Sequence, residues 1–170
     1  MNRLFRRLLA TTVLATAMLG LIVSPAAAEG GGAGLGAVRE ATDAFHDTEN
    51  ANRAGYFPLL PCFDKPGVGG MGQHLVNTSL LDNVINATQP EALVYEVNGD
   101  ELKLVAVEYI VPFTAWGSTP PTLFGQSFHR NEALGLWALH AWIWRHNPLG
   151  MFADYNPRVA MCPGGGQSED

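Results

Sequence analysis

The sequence predicts an α+β domain, an N-terminal amphipathic helix packed on an antiparallel β-sheet and stapled by one disulfide. Three observations point to it: a helical apolar period over residues 37–54, two strand-like runs joined at Asn98-Gly99-Asp100, and a lone pair of cysteines, Cys62 and Cys162. In the first segment Val38, Ala41, Phe45 and Thr48 recur at intervals of three and four, with Arg39, Glu40, Asp43, Asp47 and Arg53 mostly elsewhere. Gly55 then suits the left-handed residue that closes a helix. Pro58, Pro61 and Pro66, followed by Gly67, Gly69, Gly70 and Gly72, read as a loop over residues 58–72. The loop delivers the chain to His74 at the start of a strand. Residues 92–97 and 101–111 are the two hairpin strands, since Asn-Gly is the strongest short hairpin signal. Strict alternation along the second strand places Leu102, Leu104, Ala106, Glu108 and Ile110 on one face. Residues 133–144 are apolar apart from His140 and show no helical stripe. Their tryptophans, Gly135 and the Asn147-Pro148 stop favour a buried strand over a helix, with Ala138, His140, Trp142 and Trp144 sharing a face. The chain from Leu149 onward reads as turns returning to Cys162.

The chain begins in the order of a secretion signal. Arg3, Arg6 and Arg7 precede an apolar stretch over residues 8–23, and Ser24-Pro25 leads to Ala26-Ala27-Ala28. Those 16 apolar residues fall short of the roughly 20 that span a bilayer, so cleavage after Ala28 is expected rather than stable membrane insertion. Of 170 residues, 142 then remain, a usual size for one domain. Residues 29–36, mostly glycine and alanine, are expected to be a flexible leader, residues 37–163 a single domain and residues 164–170 a disordered tail. The mature chain carries seven basic against sixteen acidic residues, a balance that repels nucleic acid and anionic lipid. An even cysteine count in an exported, secreted or cell-envelope protein reads as a Cys62 to Cys162 disulfide.

No phosphate loop, dinucleotide fingerprint, serine nucleophile motif or helical zinc-protease motif is present, so no catalytic residue is assigned and the search narrows to histidines and carboxylates. His140 is the one ionisable group in a twelve-residue apolar run, and Glu108 is the matching oddity in the hairpin. A buried carboxylate calls for a cation, a metal or a raised pKa. If His74, Glu108 and His140 converge from neighbouring strands, they form a two-histidine, one-carboxylate set suited to zinc, iron or manganese. The alternative is that each histidine bonds a core carbonyl and Glu108 lies on an exposed edge. His129 is a candidate fourth ligand, whereas His46 and His146 are expected in solvent. Met71, Met151 and Met161 lack the spacing of a methionine-rich copper box and are assigned to packing.

The segments Gly70-Met71-Gly72-Gln73-His74-Leu75-Val76-Asn77, Pro90-Glu91-Ala92-Leu93-Val94-Tyr95-Glu96, Leu104-Val105-Ala106-Val107-Glu108-Tyr109 and Leu139-His140-Ala141-Trp142-Ile143-Trp144, with the ending from Asn147-Pro148 to Cys162, together resemble a family of uncharacterised exported bacterial proteins. The resemblance spans residues 38–162 and implies that the pattern around His74, Glu108 and His140 recurs; it implies no activity. Three functions follow as expectations. The first is a secreted or cell-envelope binding module whose His/Glu-lined pocket takes a divalent transition metal or a small ligand. The second is a metal-assisted enzyme built on the same residues, with Glu108 as ligand or general base. The third is a structural envelope protein with no site.

Overall fold

A computed structural model of the protein describes residues 31–167; the expected signal segment and residues 168–170 lie outside them. The helical region comprises α1 (Gly31–Thr42), a 3-10 turn (Asp43–His46) and α2 (Thr48–Arg53). The strands are β1 (Phe57–Pro58), β2 (Phe63–Lys65), β3 (Gly69–Val76), β4 (Ala92–Asn98), β5 (Glu101–Pro112), β6 (Thr122–Leu123), β7 (Gln126–Ser127), β8 (His129–Asn131) and β9 (Leu136–Ala141), with a short helix α3 (Phe113–Trp116) after β5. The main sheet runs β1-β3-β4-β5-β9-β8, with β2 also on β3 and its paired strands antiparallel; β6 and β7 form a separate ribbon. No described helix is long and apolar enough to cross a membrane.

The expected single helix over residues 37–54 is divided because Asp47 takes up extended geometry and caps α2, its carboxylate accepting the Glu49 N–H at 2.9 Å. Gly55, at φ +94°, closes α2 as expected. Val38 and Ala51 are buried in one core cluster with Leu75, Leu93 and Tyr95 of the sheet, whereas Ala41 is exposed. Helix α1 begins inside the segment whose composition suggests a leader. The hairpin forms with Asn98 opposite Glu101.

Three further expectations are corrected. The glycine run is not a loop: residues 69–72 open β3, and a side-chain carbon at Gly70 would collide with the Ala160 carbonyl, so glycine here seats the C-terminal segment against the strand. Alternation along β5 fails at Val105, because Val94 pairs with Ala106 while Tyr95 pairs with Leu104. This bulge puts Leu104 with Val107, Tyr109 and Val111 on the helix side and leaves Ala106, Glu108 and Ile110 on the other. The buried strand near the end is confirmed over residues 136–141, but Trp144 does not share the face of His140. The chain leaves the strand after Ala141, the Trp142 N–H turning to Met151 O, and Trp144 packs on the helix side with its indole N–H 3.3 Å from Thr42 Oγ1.

The non-helical face of the sheet is covered by the C-terminal segment. Cys62 and Cys162 are bonded, with Cα atoms 5.8 Å apart. Beside them the buried Asp64 carboxylate accepts the Cys162 N–H at 2.7 Å and the Gly166 N–H at 3.2 Å. Gln167 exchanges backbone hydrogen bonds with Cys62 and Asp64, so residues 164–167 are tied down rather than trailing as their composition suggests.

Candidate metal centre

Glu108 on β5 stands directly opposite His140 on β9 and opposite Ala92 on β4. His74 on β3 is opposite Val94, two pairs further along and on the same face. One strand, β4, separates His74 from Glu108, so they stand two strand spacings apart, close to 10 Å of sheet at about 4.8 Å per spacing. The gap closes because the long glutamate side chain reaches across β4, past Ala92 and Val94 on this face, to the imidazole. Phe63 meets the His74 ring edge-on at 5.6 Å, and Trp142 stacks beside His140 at 6.2 Å.

His74 Nε2 is 3.3 Å from Glu108 Oε2, His140 Nε2 is 3.5 Å from Glu108 Oε1, and the two Nε2 atoms are 3.4 Å apart. One ligand atom from each residue lies within 4.8 Å of the other two. The side chains of His74, Glu108 and His140 are 0%, 3% and 0% exposed, so Glu108 is not on an edge. Burial, reinforced by the neighbouring His140, pushes the His74 imidazole down to about 3. His74 is therefore a neutral ring at ordinary pH. The Gly72 carbonyl favours a proton on it, although Nδ1 makes no hydrogen bond of good geometry. With that proton on Nδ1, the Nε2 lone pair faces Glu108 and His140.

His129 lies elsewhere. Its ring is parallel to that of His140 at 6.3 Å, and its Nδ1 is 3.2 Å from Asp154 Oδ1. The same Asp154 oxygen is 3.7 Å from His140 Nδ1, on the side of that ring away from Glu108. Burial raises the Asp154 carboxyl, but the hydrogen-bonding influence and charge of His140, with His129 and Lys65, outweigh this and hold it below its usual value. Burial also lowers His129, against the pull of Asp154. His46 and His146 are exposed as expected, and Met71 is core while Met151 and Met161 are exposed.

Asp154 is the residue that sequence reasoning missed. It sits among turns, where an acid is ordinary, and its signal was only that the turns return across the sheet toward Cys162. Three buried carboxylates away from the centre were also missed. These are Asp64, which anchors the C-terminal segment, Glu96, which accepts the Ala160 N–H at 2.9 Å, and Glu91, which accepts the Ile110 N–H at 2.9 Å and is pushed up to about 7 by burial. No protein-family model, curated protein or solved structure matches the chain.

Proposed function

We propose that His74, Glu108 and His140 bind a divalent transition-metal ion in an exported, disulfide-bonded binding protein. The donor spacing carries this reading. Two donors on bonds of about 2.0–2.1 Å at a tetrahedral angle lie about 3.3–3.4 Å apart; the two imidazole Nε2 atoms are 3.4 Å apart, and the Glu108 carboxylate meets each ring with a separate oxygen, at 3.3 and 3.5 Å. Two imidazoles and a carboxylate suit zinc, iron or manganese better than a soft ion. A positive ion also supports the burial of a carboxylate between rings of which one, His74, is held neutral. Near-complete burial favours an ion over a molecular ligand and favours holding the ion over turning over a substrate. Export is supported by the basic, apolar and small-residue order of residues 1–28 and by the disulfide.

Elemental analysis of untagged protein, purified without chelator and then titrated with zinc, tests the metal reading. About one equivalent of metal per chain is expected, and His74→Ala and His140→Ala should each abolish uptake while retaining the fold. Wild type that takes up no zinc, iron or manganese, or variants that bind like wild type, would overturn it.

A further inference from the structure

We propose that Asp154 is the positioning carboxylate of this centre, fixing the proton of His140 on Nδ1 so that its Nε2 lone pair faces the ion. The inference rests on the metal reading above, and concerns a residue outside the three donors. An imidazole that binds metal through one nitrogen carries its proton on the other, and a carboxylate facing that proton orients the ring and raises its basicity. His140 is built for this arrangement. Its Nε2 looks toward Glu108 and His74, and its Nδ1 looks the opposite way, toward Asp154 Oδ1 at 3.7 Å. That distance is an ion-pair contact longer than a direct hydrogen bond. A cation at Nε2 withdraws electron density from the ring and strengthens Nδ1–H as a donor, so metal uptake should shorten the contact.

The placement of Asp154 is held from both sides. The Trp142 N–H donates to Met151 O at 2.9 Å, and the Trp142 indole N–H donates to Ala153 O at 2.5 Å. The segment leading into Asp154 is thereby pinned to a residue two positions beyond His140. Tyr155, which follows, is buried with Phe63 and Met71, and its carbonyl accepts from the Asn147 side chain at 2.9 Å. The carboxylate itself reaches solvent, being 42% exposed, beside a His129 side chain that is 35% exposed. Asp154 thus borders both the solvent and the buried His140 ring. His129 shares the Asp154 oxygen with His140, its Nδ1 facing the carboxylate from the more exposed side.

Nitrogen NMR of the histidine side chains and zinc titration against a chromophoric chelator test the assignment together. In the metal-free wild type, at a pH where the His140 ring is neutral, it should be the Nδ1–H tautomer. Asp154→Ala should shift it toward Nε2–H and weaken zinc binding by about 10- to 100-fold. Asp154→Asn, whose amide oxygen still accepts from Nδ1–H, should keep the tautomer and bind zinc between the two. His129→Ala should bind zinc within a few fold of wild type. A His140 tautomer identical in wild type and Asp154→Ala overturns the positioning role, even if zinc binds as proposed. So does a His129→Ala loss as large as that of His140→Ala, which would make His129 a ligand. If wild type binds no zinc, the metal reading fails by itself, and the tautomer comparison still decides whether Asp154 orients His140.

Discussion

The two faces of the central sheet are equally buried and chemically opposite. On the helix side β4, β5 and β9 present Leu93, Tyr95, Leu104, Val107, Tyr109, Val111, Trp137 and Leu139. Here hydroxyls reach out and tie down loops, Tyr95 to Phe45 O at 2.7 Å and Tyr109 to Ala87 O at 2.6 Å, and the buried carboxylate acting on this face is Glu91, beside Tyr56 and Tyr109. On the other side the same strands, with β3, bury His74, Glu108 and His140 beside Ala92, Ala106 and Ala138. An apolar face stabilises the fold by itself; a buried carboxylate and two imidazoles do not. The contrast teaches that the helix side holds the domain together while the C-terminal side is shaped around a task, with small residues making room and a tethered segment making the cover.

The tether gives the largest expected effect. The disulfide closes a separation of 100 residues, for which chain entropy assigns up to about 4.7 kcal/mol. Reduction should loosen the C-terminal cover first, so that hydrogen exchange rises over residues 142–162 before it rises in the hairpin. Uniform acceleration through both faces would erase the distinction between them.

Next comes a paired substitution. Leu93→Ala, on the helix side, should cost about 3 kcal/mol in denaturant unfolding and leave zinc affinity nearly intact. Glu108→Gln, on the opposite side, should weaken zinc binding at least about tenfold while the metal-free protein keeps or gains stability, because a buried charge is removed. A Glu108→Gln protein as destabilised as Leu93→Ala would show that the cluster is structural.

Acid and base should also act differently on the two buried carboxyl and imidazole environments. Glu91 is pushed up from 4.5 to about 7 by burial, so the folded chain keeps a proton that the unfolded chain loses between those values. Its contribution to stability is therefore present below about pH 4.5 and lost as pH rises through about 7. His74, lowered from 6.5 to about 3, has the opposite sign: its contribution is lost as pH falls from about 6.5 toward 3. Glu91→Gln should therefore gain on wild type by on the order of 2–3 kcal/mol between pH 4 and 8, read as the difference in unfolding midpoints. A difference that stays flat with pH would contradict the raised Glu91. The smallest effect is Tyr109→Phe, which removes one loop tie on the helix side and should cost about 1 kcal/mol with no change in zinc affinity.

How much of this was legible in the sequence follows from where each cause lies. The hairpin and the disulfide were readable because their signals, Asn98-Gly99 and a lone pair of cysteines, are local or countable. His74, Glu108 and His140 stood out because each interrupts an apolar row, and strand pairing then brought two of them face to face. The bulge at Val105 was hidden because both faces of β5 are buried, so an extra residue leaves the apolar run unbroken. The glycine run misled for a similar reason. Its cause is the Ala160 carbonyl, ninety residues away, and nothing next to Gly70 announces it. Asp154 was out of reach because a turn acid becomes a partner of His140 only once the cover is folded.

X-ray absorption at the zinc edge of the loaded, untagged protein tests the central claim most directly. The account predicts a shell of nitrogen and oxygen at about 2.0–2.1 Å containing two imidazoles, falling to one imidazole or to no bound zinc in His140→Ala. A shell of oxygen alone, or one unchanged in His74→Ala and His140→Ala, would contradict it.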